Sequence, residues 1–231
     1  MVVPTYQERA NIGHLLERIG AALSERDYEI VIVDDNSPDG TAEAAASLAN
    51  RYPVRVIKRE GARGLGSAVL EGFRKAEGGV IAVIDADLQH PPEVVLQLTA
   101  ALENGVDIAV ASRYVSGGGI RDWSLPRRLV SRAAILLARP LTKVKDPVSG
   151  CFMVKREVVE GNSFSPRGYK ILLEILVKGT YRHVGEVPYI FGSRQAGESK
   201  LSLMEYLRYL MLLGGLYWYK LGHLRRRSNT C

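Results

Sequence analysis

Cysteine is nearly absent: Cys151 and Cys231 are the only two in 231 residues. That excludes a disulfide framework and fits a reducing compartment or a fold that does without the bond. Histidine is scarce, four in all, and no zinc-ligand spacing is present. Long apolar runs are missing too. The longest charge-free apolar stretch toward the end, Tyr209 to Tyr219, has eleven residues. At about 1.5 Å per residue it falls short of a hydrocarbon core about 30 Å thick, although it can lie on a membrane. Pro4 and Thr5 arrive before an apolar run can build, so no N-terminal signal peptide is expected. Aromatic residues make up only 7%, and no nucleic-acid recognition module is visible, so nucleic acid is not an expected partner.

What is present is an ordinary globular mixture, 46% apolar and 24% charged. Lys+Arg is 31 against Asp+Glu 25, a formal net charge of +6, which suits an anionic partner. No repeat or long Pro/Gly/Ser linker divides the chain. The reading is one domain over residues 1–200 and a C-terminal appendage over 201–231.

Apolar runs alternate with helical patterns from the start. Strands are expected at Val2–Val3, Glu29–Val33, Val54–Lys58, Val80–Ile84 and Asp107–Ala111. Helices are expected at Asn11–Ser24, Thr41–Tyr52, Gly66–Ala76 and Pro92–Asn104. This repetition predicts an α/β fold with a mostly parallel central sheet and flanking helices. After Arg113 the regularity breaks into a Gly-rich loop, a basic apolar helix at Arg127–Leu141, a strand at Gly150–Val154, a helix at Gly168–Lys178, a strand at Tyr181–Val187 and a long helix at Leu203–Leu224. Ligands of such sheets bind at the carboxyl ends of the strands, where Asp34, Asp35, Asp85, Asp87 and Arg113 fall.

Asp85-Ala86-Asp87-Leu88-Gln89 follows a strand. Two carboxylates one residue apart can reach a hard divalent cation together, and a metal there neutralises a diphosphate leaving group. The alternative is a solvated strand end with helix-capping acids. Asp35 can accept from a base or ribose, or, with Asp34, form an Asx-turn into Asn36–Gly40. In the loop after the first strand, Tyr6 can stack on a base and Glu8 can accept from an exocyclic amine; Glu8 is equally an ordinary first-turn acid. Arg63–Ala68 has half of a dinucleotide fingerprint in the wrong place and reads as a tight turn. Cys151 reads as a buried structural thiol, and His90 as either a phosphate or metal contact or a plain loop residue. Later arginines and lysines supply phosphate-binding forks.

The stretches VVPTYQERANI, EIVIVDDNSPDGT, GLGSAVLEGF, DADLQHPPE, ASRYVSGG, KDPVSGCFMVKREVVEG, KILLEILVKG and EVPYIFGSRQAGESK occur in this order from Val2 to Lys200. They resemble the family-2 glycosyltransferases of the GT-A (Rossmann-like) fold, and within them the polyprenol-phosphate glycosyltransferases. The resemblance implies GDP-mannose as donor, dolichyl phosphate as acceptor, Mg²⁺ or Mn²⁺ as cofactor, and direct inverting displacement by the acceptor phosphate. Another nucleotide sugar such as UDP-glucose, or nucleotide binding without turnover, stays open.

It also implies roles. Pro4, Tyr6, Glu8, Val33 and Asp35 hold the nucleoside. Asp85, Asp87 and Gln89 meet the metal and diphosphate, with Ala86 lining the site. Arg113, Arg127 and Ser131 receive the acceptor phosphate, while Lys170, Arg194 and Lys200 bind the donor diphosphate. The chain resembles shorter members, without transmembrane hairpins after the GESK loop. Val130–Ala138 and the Tyr- and Trp-bearing helix 203–224, followed by Arg225-Arg226-Arg227, are expected at a membrane surface, on its cytoplasmic face, or against a small membrane partner subunit.

Overall fold

The computed structural model describes residues 1–61, 64–164, 170–193 and 203–228, with side chains except at 203 and 223–228. Arg63, Arg194, Lys200 and Cys231 lie outside the described residues, as does most of the expected loop over 193–200; the side chains of the basic tail are likewise not described.

The first half alternates β1 (Val2–Thr5), α1 (Arg9–Ala22), β2 (Ile30–Asp34), α2 (Thr41–Ala46), β3 (Val54–Lys58), α3 (Leu65–Lys75), β4 (Val80–Val83), α4 (Val94–Glu103) and β5 (Ile108–Ser112). There follow β6 (Gly119–Ile120), α5 (Leu125–Ala138), β7 (Phe152–Lys155), α6 (Arg156–Val159), α7 (Ile171–Lys178), β8 (Val184–Pro188), β9 (Ile190–Phe191) and α8 (Leu203–Ser228). One sheet runs β3-β2-β1-β4-β7-β5-β8, and β6 and β9 form a small second one. Every pairing in the large sheet is parallel except those of β7, which runs antiparallel between β4 and β5.

Strand alternation sends successive side chains to opposite faces, which explains the continuous apolar strands. Val3, Ile30, Ile32 and Ala109 pack with α1, α2 and α4 on one face. Val2, Val31, Val33 and Val110 pack with α3, α6 and α7 on the other. A third cluster joins Ile135 and Ala138 of α5, Leu173 of α7, and Tyr209, Leu213 and Leu216 of α8. The segment set apart in the sequence as an appendage is therefore docked on the domain through one face.

α2 and α4 are shorter than expected. α2 stops at Ala46, and the chain continues in tighter turns through Leu48 N–H to Ala45 O and Ala49 N–H to Ala46 O, both 3.1 Å. Pro53 disfavours helical geometry at Tyr52. α4 begins at Val94 because Pro91 and Pro92 form a turn, in which Val94 N–H reaches Pro91 O at 3.0 Å. β6, β9 and the single-turn α6 were not anticipated.

Candidate active site

All parallel strands deliver their carboxyl ends to one edge of the sheet. Since β7 runs the other way, it enters from that edge and brings Asp146–Cys151 there. A cavity of about 880 Å³ opens along this edge. It is lined by Pro4, Tyr6, Glu8 and Asp35 from the β1 and β2 ends, by Asp85–Asp87 and Gln89 after β4, by Arg113 after β5, and by Arg127 and Ser131 of α5. Lys170, immediately before α7, and Tyr206 and Tyr209 of α8 complete it. The structure thus brings together every expected site residue within its described part except Val33, whose side chain is fully buried in the core behind the cavity.

At the end of the cavity formed by the loops after β1 and β2 the carboxylates differ in employment. Asp34 is wholly internal. It accepts Thr5 Oγ1 at 2.8 Å, Ser37 N–H at 2.8 Å and Ser37 Oγ at 2.6 Å, which is the turn-building role. Asp35 accepts Arg59 Nε at 2.7 Å and Gly64 N–H at 2.7 Å, while Arg59 also donates to Ser67 Oγ at 2.9 Å. Asp35 thereby ties β3 to the start of α3 at the cavity wall. Glu8 accepts Asn11 Nδ2 at 2.8 Å. Gln7 and Asn36, in the neighbouring loops, have φ of 55° and 54°, a sparsely populated region for side chains other than glycine.

After β4 the chain turns through Leu88, whose φ of 60° is again left-handed. Asp87 Oδ1 accepts Gln89 N–H at 3.1 Å, and Gln89 Nε2 donates to Gly192 O at 3.2 Å. The amide nitrogen is thus committed, leaving the amide oxygen as the group a cation can use. Asp85 keeps 31% of its side chain exposed to the cavity, with His90 Nε2 at 3.5 Å from Oδ2. Gly150 packs against the same carboxylate so tightly that a Cβ there would lie 2.2 Å from Asp85 Oδ2. Two carboxylates and an amide oxygen are hard ligands that suit Mg²⁺ or Mn²⁺. Among the described residues no group of three or more His, Cys, Asp or Glu side chains is placed to hold a metal. The set therefore fits a cation that takes its remaining ligands from phosphate oxygens and water.

At the other end Arg113 is buried and bound by both oxygens of Asp146: Nε to Oδ2 and Nη2 to Oδ1, each 2.7 Å, with its backbone N–H on Oδ2 at 3.0 Å. Burial opposes the guanidinium charge, but Asp146 outweighs it and holds the pKa above the ordinary arginine value. Ser131 Oγ lies 2.9 Å from Tyr114 Oη. Lys170 donates to Val148 O at 3.0 Å. Burial, then Arg113, lowers its pKa to about 8 against the opposing pull of Asp85, Asp146 and Glu205. It is cationic at neutral pH and stands in the field of both ends of the cavity. Cys151 is buried and its thiol pushed up, by burial first and then Asp85.

Sequence reading missed Arg59, Asp146, Trp123 and Gly150 as site-building residues. Asp146 and Gly150 stood inside the KDPVSGC stretch, but their partners Arg113 and Asp85 are distant in the chain, and no local spacing joins them.

Against this geometry the profile of glycosyl transferase family 2 matches residues 1–162. The chain belongs to glycosyltransferase family 2. This glycosyltransferase is 51% identical over 220 residues to a Pyrococcus furiosus protein named dolichol-phosphate mannosyltransferase, covering 92% of the present chain and 62% of that relative. It thus spans less than two thirds of the archaeal relative's length. A Saccharomyces cerevisiae protein of the same name is 42% identical, with 96% of this chain and 88% of that one covered. Glucosyl-3-phosphoglycerate synthase from Mycobacterium tuberculosis, solved with Mn²⁺, uridine diphosphate and phosphoglyceric acid, superposes with a TM-score of 0.69 at 19% identity, covering 96% of this chain and 77% of that structure. At that identity the likeness shows the fold, the GT-A-like arrangement of the family-2 transferases.

Proposed function

We propose that the glycosyltransferase transfers mannose from GDP-mannose to dolichyl phosphate with inversion at the anomeric carbon. One observation carries the reading. A single cavity joins a hard-cation carboxylate pair, Asp85 and Asp87, to an arginine pair, Arg113 and Arg127, with Ser131 beside them, and is walled by two helices whose outer faces are apolar. The relatives' names supply the sugar and the lipid.

The nucleoside is held by Pro4, Tyr6, Glu8 and Asp35. Asp85, Asp87 and Gln89 hold Mg²⁺ or Mn²⁺, which when bound supplies charge neutralisation for the departing diphosphate. Ala86 lines the floor beneath, and Lys170 places a further positive charge there. Arg113 and Arg127 grip the acceptor phosphate, and Ser131 offers it a hydroxyl. A phosphate monoester is already an anion near pH 7, so the attack requires no proton to be removed. The arginines' work is to bring one anion to another and hold it in line with the leaving group. Arg194 and Lys200 remain assigned to the diphosphate by family resemblance alone.

The test is transfer of labelled sugar to dolichyl phosphate in detergent, with GDP-mannose and UDP-glucose run in parallel, with Mg²⁺, Mn²⁺ or chelator. Chelator-sensitive mannose transfer is expected. Glucose transfer alone would keep the site and overturn the donor; no transfer from either, with GDP-mannose bound, would overturn the acceptor.

The lipid acceptor requires membrane contact. No described helix is long and apolar enough to cross a membrane. Instead α5 exposes Leu125 (74%), Leu129 (65%) and Leu136 (71%), flanked by the exposed Arg128 and Arg132, and α8 exposes Leu210, Met211 and Trp218 (80%). Apolar side chains ringed by arginines suit the surface of an anionic leaflet, such as the cytoplasmic one. The protein is expected to sediment with vesicles containing phosphatidylserine, and Leu129→Glu with Leu136→Glu to reduce the bound fraction at least about tenfold. Absence of wild-type sedimentation would transfer this face to a membrane partner subunit.

A further inference from the structure

The acceptor arginines come from different elements, Arg113 from the end of β5 and Arg127 from the first turn of α5. Two guanidiniums sharing one cavity repel each other, and an unheld arginine turns to water, as the exposed Arg128 and Arg132 do. Both arginines of the pair instead meet one aromatic ring. The Arg113 Cζ lies 5.3 Å from the centroid of Trp123, and the Arg127 Cζ 4.3 Å.

The ring is held in its turn. Its edge meets Phe191 at 5.3 Å and 73°. The segment leading to it is fixed by the β6–β9 pairing, where Gly119 N–H reaches Tyr189 O at 3.0 Å and Arg121 N–H reaches Phe191 O at 2.9 Å. Gly118 must be glycine for this course, since a Cβ would lie 2.6 Å from Ser112 O. The indole Nε1 is buried with no hydrogen-bond partner among the described residues. Packed against Phe191 and the core, the indole thus presents its π system to both cations.

We propose that Trp123 is the positioning residue of the acceptor-phosphate site: its indole orients the two guanidiniums so that both can address one phosphate. Stacking uses the face of a guanidinium, whereas its N–H donors lie in the plane, so an arginine held by an indole keeps its phosphate-binding edge. Arg113 is already locked by Asp146 through Nε and Nη2. Trp123 carries that fixed reference across to Arg127, whose Cζ lies 4.3 Å from the centroid of the same ring. The proposal deepens the acceptor reading above and rests on it.

The experiment compares Trp123→Leu, Trp123→Phe and Arg127→Gln in the full chain, with GDP-mannose, Mn²⁺ and dolichyl phosphate in detergent. Trp123→Leu is expected to raise the KM for dolichyl phosphate at least about tenfold while the GDP-mannose dissociation constant moves less than about twofold. Trp123→Phe, which retains a π face, is expected to recover most of that loss. A Trp123→Leu protein with an unaltered acceptor KM, or one that loses donor and acceptor affinity in parallel, overturns the proposal. If Arg127→Gln leaves the acceptor KM unchanged, the phosphate assignment itself fails, whatever Trp123 does.

A second measurement does not depend on how the variants at 123 fold. The chain has two tryptophans, so Trp218→Phe leaves Trp123 as the sole emitter. Its fluorescence is expected to change on adding geranylgeranyl phosphate and not on adding geranylgeraniol. Emission unaltered by saturating geranylgeranyl phosphate, with transfer still running, overturns the proposal as well.

Discussion

Asp146→Ala is expected to lower the unfolding free energy by about 3–5 kcal/mol, because it leaves the buried Arg113 charge with no counter-ion. Asp146 is 0% exposed and the Arg113 side chain 6%. The three bonds from Arg113 to this carboxylate also tie the end of β5 to the loop before β7. For a chain of this size the loss corresponds to a fall in thermal midpoint of about 6–20 °C. The companion experiment removes both charges. Arg113→Met with Asp146→Leu is expected to regain much of the stability, since a buried ion pair replaced by apolar groups is often nearly neutral. Transfer should remain lost, because the acceptor-phosphate site proposed above then lacks Arg113. A midpoint within about 2 °C of wild type for Asp146→Ala would show that water, not Asp146, balances the arginine.

Gly150→Ala is expected to have the opposite profile, a nearly unchanged fold and a loss of transfer on the order of 10²–10³-fold. The added Cβ would meet Asp85 Oδ2 at 2.2 Å, Cγ at 2.9 Å and His90 Nε2 at 3.1 Å. Something must move. His90 is buried and stacked on Tyr189 with ring centroids 5.1 Å apart, so it has little room. The Asp85 carboxylate is partly open to the cavity and can rotate away. Rotation removes one of the two carboxylates expected to hold the divalent cation while leaving the sheet intact. Mn²⁺ titration in the presence of GDP should show weakened metal binding at an unaltered thermal midpoint. Full transfer activity in Gly150→Ala would take Asp85 out of the metal site.

These two residues also show where sequence reading reaches and where it stops. β2 and β5 lie within a residue of their expected positions, because fully buried strands are written as unbroken apolar runs. The charged residues at the carboxyl ends were legible for the same reason: a strand ends where Asp34, Asp85 or Arg113 interrupts the run. The antiparallel entry of β7 was not, since Phe152–Lys155 has the same composition whichever way it points. Its direction is set by partners in β4 and β5. Asp35 lines the cavity at the strand end the sequence indicates, but its engagement with Arg59 and Gly64 depends on a fold-level juxtaposition across the β2–β3 edge. The family resemblance assigns Val33 to the nucleoside, yet its side chain is fully buried in the core. The alternation of a strand turns its side chain to the opposite layer.

The reversed strand also bears on how the chain acquires its shape during synthesis. β4 and β5 follow one another in the chain but do not pair; β7 sits between them and bonds to both. A nascent chain that has not yet presented Phe152–Lys155 can complete β3-β2-β1-β4, but it carries an unpaired edge on β4 and leaves β5 without its partner. Open edges are sites of wrong pairing and aggregation. The strand that closes this gap arrives with Asp146 and Gly150 just ahead of it. Filling the gap between β4 and β5 and bringing Asp146 and Gly150 to the cavity edge are therefore one event, and partly folded intermediates lacking β7 have no complete binding site with which substrate could rescue them.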